Sequence, residues 1–161
     1  NNSINIKIEN LAVSSKEGYT SLRIPIRDVK AEYDYDQKYK LGIATIHLDN
    51  KLENESFETF DQIKTTSLDS YKFKHPIGFI KIDVEGHELE ILKGAKNFLN
   101  THKPIMIIEI EERHSGTPRE EIISYIKNFG YEAFYVNDKF QVIPIKNISL
   151  VTNHNLLFKP K

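Results

Sequence analysis

The chain has 161 residues, 39% of them hydrophobic and 28% charged, with a net charge of −1. That length suits about one domain with a real core, and near neutrality leaves no overall field to gather nucleic acid or an anionic membrane. Cysteine is absent, which excludes disulfides, thiolate catalysis and cysteine-ligated zinc and fits a reducing, cytoplasmic setting.

No apolar run approaches the ~20 residues that span a bilayer, and Asn1 to Asn5 carry no leader signature. The sequence starts without Met, which reads as a chain cut from something longer or processed.

Ile4, Ile6 and Ile8 alternate with polar residues and predict a half-buried strand continuing into Leu11-Ala12-Val13. Glu17-Gly18 marks a turn, and Tyr19 to Ile24 reads as the returning strand of a hairpin, limited by Pro25. Residues 28–40, with Tyr33, Tyr35 and Tyr39 set among charges, have no period and read as a long solvated loop. Ile43 to Leu48 and Phe57 to Lys64 are two further strands. Residues 1–66 are thus a β-rich, hairpin-forming part.

Residues 67–161 change character. Ile77 to Val84 is a nearly continuous apolar run, as a parallel strand covered on both faces requires. In it, Lys81 reaches solvent by its long stem or pairs with an acid. Helical spacing follows over Glu85 to His102, with Leu89, Leu92, Ala95 and Leu99 on one face and Gly94 as a break. Ile105 to Ile110 is a second buried strand. Thr117 as N-cap and Pro118 as first residue open a helix that Gly130 closes. Tyr131 to Val136, Phe140 to Ile143 and Leu156 to Phe158 complete the strands. Strand–helix–strand–helix–strand order predicts an α/β sheet with right-handed crossovers and covered faces in a single domain over residues 1–161.

In open α/β sheets, ligands bind beyond the carboxyl ends of the strands. Two such ends carry acids here, Asp83-Val84-Glu85-Gly86-His87-Glu88 and Glu109-Ile110-Glu111-Glu112-Arg113-His114. If the strands are parallel neighbours, Asp83 and Glu109 face one crevice. There they suit general-base work on a hydroxyl or a hard divalent cation held by oxygens. The structural alternative is that Asp83, Glu85 and Glu88 only cap the following helix. His114 is the better functional histidine. His87 reads as an exposed first-turn residue, and His47, His75, His102 and His154 as surface residues. No Gly-x-Gly-x-x-Gly, P-loop or Gly-x-Ser-x-Gly pattern occurs.

The block Phe79-Ile80-Lys81-Ile82-Asp83-Val84-Glu85-Gly86-His87-Glu88-Leu89-Glu90-Ile91-Leu92-Lys93-Gly94-Ala95 resembles the signature of FkbM-type methyltransferases. Leu11 to Gly18 resembles that family's third strand and the hairpin after it, Thr65 to Tyr71 the segment before its fourth strand, and Lys103 to Ile110 its fifth strand. Phe129-Gly130-Tyr131 and Asn155 to Phe158 are similar to the exit of the next helix and to the last strand.

The resemblance implies a class I methyltransferase (Rossmann-like) fold, here incomplete and with an inserted β-hairpin region. It also implies methyl transfer from S-adenosylmethionine to a hydroxyl of a sugar or polyketide-like small molecule. The catalytic candidates are Asp83, Glu85, Glu109 and His114, with Asp83 and Glu109 also candidate metal ligands. Glu111 stands near the place where the family usually has His or Asn, which leaves the role of His114 open.

The family's first two strands and glycine-containing turn have no counterpart after Asn1, so the cofactor contacts carried over are Ala12 and Val13, at the adenine. The expectations are an open strand edge that rearrangement or a homodimer covers, and an isolated chain that binds little cofactor and is inactive. A catalytically dead interaction module of the same fold and a metal-dependent hydrolase using the same acids are the alternatives.

Overall fold

The computed structural model describes residues 6–26, 38–50 and 56–161. Ile4, residues 28–37 of the expected loop, with Tyr33 and Tyr35, and residues 51–55 lie outside it. The described chain is a mixed α/β structure with two sheets.

The first sheet holds β1 (Ala12–Val13), β2 (Gly18–Pro25) and β3 (Phe57–Thr66), in the order β1-β3-β2. β1 runs parallel to β3, with Val13 opposite Thr66, and β2 antiparallel, with Pro25 opposite Phe57. The expected hairpin between Leu11–Val13 and Tyr19–Ile24 is therefore corrected: both segments are extended, but β3 lies between them. Local pattern marks a strand; it does not name its partner.

β3 carries a bulge. Thr20 pairs with Ile63 and Leu22 with Phe60, so β3 spends an extra residue there, and Gln62 takes a φ of 61°. The inward-facing residues accordingly shift phase, from Glu58 and Phe60 to Ile63 and Thr65. One inserted residue reverses the parity of a strand, so its pleat cannot be followed across the bulge from sequence alone.

Two other expected strands fail. Ile6 and Ile8 are 74% and 89% exposed and outside any strand, because alternation without a partner strand buries nothing. Ile43 to Leu48 contains no strand either. A 3-10 turn occupies Leu41–Ile43, and Thr45 makes only an isolated bridge to Arg23.

The second sheet has the order β4-β5-β8-β6-β7, with β4 (Phe79–Ile82), β5 (Ile105–Glu109), β6 (Tyr131–Val136), β7 (Val142–Pro144) and β8 (Asn155–Pro160). β4 and β5 are parallel, while β8 runs antiparallel to both β5 and β6. The C-terminal strand thus inserts between two strands that precede it, and the sheet is mixed. Among the described residues β4 pairs only with β5, and Phe79 is 55% exposed. The expectation that it is covered on both faces holds at Ile82 and not at Phe79.

Helices α1 (Glu88–Lys93) and α2 (Lys96–His102) join β4 to β5. Gly94 separates them, as expected, and its reason is packing: a Cβ there would stand 2.5 Å from the carbonyl oxygen of Ser14 and 2.8 Å from Ser15 Cα. The turn after β1 lies directly on the helix break. α2 is capped from a distance, because Asp69 accepts hydrogen bonds from the backbone N–H groups of Asn97 (3.1 Å) and Phe98 (2.8 Å).

α3 (Glu112–Ser115) and α4 (Arg119–Lys127) follow β5. Pro118 occupies the cap position of α4 rather than its first helical position, and Thr117 makes no cap. Glu112 supplies the acceptor instead, 2.9 Å from the N–H of Arg119. Leu92, Leu99, Met106, Ile108, Ile122, Ile126, Leu156 and Phe158 are at most 1% exposed and form one core between helices and sheet. No helix of the described residues is long and apolar enough to cross a membrane.

Candidate functional site

The parallel register of β4 and β5 sets Ile82 beside Ile108. The next residues are Asp83 and Glu109, so two carboxyl groups leave adjacent strand ends. With Glu85 they present oxygens that all lie within 4.8 Å of one another. Asp83 and Glu109 are hydrogen-bonded to each other, and Lys81 pairs with Asp83 from the same strand.

The pair shares a proton unequally. The hydrogen bond to Asp83, then burial, lifts Glu109 to about 7. The hydrogen bond from Glu109, then the Lys81 ammonium, holds Asp83 below the usual aspartate range. Two like charges this close cannot both ionise freely, so one group keeps the proton near neutrality. Glu85 is raised mainly by burial, against the opposing pull of His114.

Glu85 sits where few side chains are tolerated, at φ 52°, and Gly86 follows at φ 100°. Left-handed backbone at a non-glycine residue persists only when its surroundings hold it. Here they do: the hydroxyl of Thr45 and the side-chain amide of Asn50 both donate to the Glu85 carbonyl at 2.9 Å. Thr45 and Asn50 are 1% and 4% exposed. On the other side, a Cβ on Gly86 would lie 2.7 Å from the carbonyl oxygen of His114. The two acidic strand tips are pressed together there. Glu88, 2% exposed, braces the turn by accepting from the N–H of Gly86 at 3.1 Å.

His114 Nδ1 is 2.7 Å from Glu85 Oε2, and its Nε2 is 3.4 Å from Glu111 Oε2. Glu111 is also paired with Arg113 at 2.6 Å and lies 3.7 Å from His154. The structure thus brings together Asp83, Glu85 and Glu109, with His114 one contact behind them through Glu85.

Two of the other histidines, His87 and His102, need correction. His87 is part-buried, its Nε2 2.9 Å from Ser14 Oγ and its ring edge-on to His47. Burial, then His47, depresses its protonation. His102 packs on Phe98 and Phe73, its Nδ1 accepting from the N–H of Ile77. His75 and His154 are exposed, as expected, and His154 faces Glu111. These partners are distant in sequence and therefore invisible in it.

Ala12 and Val13 line an apolar cleft of about 300 Å³ together with Leu11, Leu22, Ala44 and Ile46. Ile80 to Val84, Leu68 and Ile91 line it too, so Asp83 belongs both to the cleft and to the acid cluster. Such walls suit a purine face and a thioether, and a carboxylate at the rim complements a sulfonium cation.

Fold and site together define an α/β domain with carboxylates clustered beyond parallel strand ends, beside an apolar cleft. The family model described as "Methyltransferase FkbM domain" matches residues 2–133. The chain belongs to this methyltransferase family. Comparison with curated proteins and with solved structures finds no match.

Proposed function

We propose that the chain acts in transfer of a methyl group from S-adenosylmethionine to a hydroxyl of a sugar or polyketide-like small molecule. The donor lies in the apolar cleft against Ala12 and Val13, and the acceptor hydroxyl sits at Asp83 and Glu109. The convergence of Asp83, Glu85 and Glu109 within 4.8 Å, next to that cleft, carries this reading. Half of a class I methyltransferase sheet is consistent with the order β4-β5-β8-β6.

S-adenosylmethionine supplies an electrophilic methyl group on a sulfonium. The chain's own residues handle the acceptor. An alcohol is a weak nucleophile until its proton is drawn off, and ionised Asp83 accepts that proton while protonated Glu109 orients the hydroxyl. Glu85, fixed by Thr45 and Asn50 through its carbonyl, and His114, fixed to Glu85, hold the acid cluster in place. Positioning of the two reactants supplies much of the rate.

The same three carboxylates favour a second form of the site. Oxygen donors this close suit Mg²⁺ or Mn²⁺ held by Asp83, Glu109 and Glu85, and the cation would lower the pKa of the hydroxyl. Mn²⁺ titration, read by line broadening at these residues, tests it.

Isothermal titration with S-adenosylmethionine tests the main reading. Absence of binding supports a catalytically dead module, and turnover with Mg²⁺ but without the donor supports a hydrolase. In a form of the protein that transfers methyl, full activity after both Asp83→Asn and Glu109→Gln would refute the assigned chemistry.

A further inference from the structure

A second, polar recess of about 440 Å³ opens at Glu111, and we infer that it seats the acceptor and selects a neutral polyhydroxylated compound, a saccharide rather than a polyketide. This inference rests on the methyltransferase reading above. Apart from Ile148 and Val151, every residue lining the recess is polar or charged, including Glu111, Glu112, Arg119, Ser149 and His154.

The recess is joined to the site through Glu111, which lines it and lies 3.4 Å from His114, itself 2.7 Å from Glu85. An acceptor whose reactive hydroxyl rests on Asp83 and Glu109 therefore extends over His114 towards Glu111 and His154. Asp83 lines the apolar cleft and Glu111 the polar recess, and the contacts Glu85–His114–Glu111 connect the acid cluster to the recess.

The walls are built rather than loose. The Arg119 guanidinium donates to the carbonyl oxygens of Val151 (2.7 Å) and Asn153, tying the 148–153 segment to the start of α4. Asn147 Oδ1 accepts from both the N–H (3.1 Å) and the hydroxyl (2.7 Å) of Ser149.

The chemistry points to hydroxyls. Glu111, Glu112 and Glu120 offer acceptors, and Arg113, Arg119 and His154 offer donors; a sugar hydroxyl uses both kinds. The signs nearly balance, and Glu111 is already paired with Arg113, so a phosphate or carboxylate finds no net field to bind. A long apolar chain would strip water from these groups and return no hydrogen bonds.

The test is amide-resolved NMR of the chain with four separate probes: a set of methyl glycosides, a sugar phosphate, octanol, and the donor analogue sinefungin. Glycosides are expected to shift Glu112, Ser149 and His154, and His154→Ala or Ser149→Trp to weaken that binding about tenfold, the size of a lost hydrogen bond to a charged group or more. The same spectra show whether each variant is folded, and the unsubstituted chain decides the matter without them.

No glycoside shift at the recess, or octanol or the sugar phosphate binding there more tightly, overturns the inference. Sinefungin shifts at Ala12 and Val13 report on the donor reading separately. Sinefungin binding without glycoside binding removes only the acceptor inference; the reverse supports the saccharide site and counts against the donor cleft.

Discussion

Asp83 and Glu109 leave adjacent positions of two parallel strands and meet carboxyl to carboxyl. The pair is expected to titrate as a unit. Folded Glu109 is raised from 4.5 to about 7, so its contribution to stability is full below 4.5 and is lost as pH rises through about 7. Asp83 is lowered from 3.8, so its contribution is present above 3.8 and lost as pH falls further. Carboxyl-carbon NMR should show Glu109 titrating near neutrality, and Asp83→Asn should move it down towards the ordinary glutamate range. Glu109 titrating at that ordinary range in the unsubstituted chain would contradict the geometry.

The joint between the two acidic turns depends on Gly86. Gly86→Ala meets the His114 carbonyl at 2.7 Å at a φ of 100°, and the expected loss is about 2 kcal/mol or more in urea denaturation. Gly78→Ala is the control: nothing lies within 4 Å of its added Cβ, and the change should stay within about 0.5 kcal/mol.

Thr45 and Asn50 donate to one carbonyl, that of Glu85. Thr45→Val and Asn50→Leu should each cost about 1 kcal/mol. Together they should cost more than the sum, because the second loss leaves the carbonyl without a partner. Strict additivity in a double-mutant cycle would show that the two side chains do not hold Glu85 jointly.

For the chemistry, in a form of the protein that transfers methyl, Asp83→Asn should lower transfer by about 10²–10⁴-fold with the fold retained, the range for loss of a general base, and Glu109→Gln, which keeps a hydrogen-bond donor, should lower it less. Circular dichroism establishes the fold, and transfer of labelled methyl from S-adenosylmethionine measures the activity.

The capping of α2 gives a purely structural check. Asp69→Ala removes the acceptor for Asn97 and Phe98 and should cost about 1 kcal/mol. Thermal unfolding should show a small drop in Tm without loss of cooperativity.

Local pattern by itself marked strands over Ile77 to Val84, Ile105 to Ile110 and Tyr131 to Val136, within which the structure forms Phe79–Ile82, Ile105–Glu109 and Tyr131–Val136, and it marked the split helix at Gly94 and the two acidic strand ends. Apolar runs, helical spacing and glycine breaks are written into neighbouring residues, so they can be read without coordinates. Only the tertiary structure decided which segments pair. It put β3 between β1 and β2 and β8 between β5 and β6, and it pinned Glu85 by Thr45 and Asn50, 40 and 35 residues away. Long-range pairing and burial follow from how the whole chain closes on itself. For that reason Ile6 and Ile8 alternate like a strand and still stand in solvent, while His87, read as exposed, is hydrogen-bonded at the seam between the sheets.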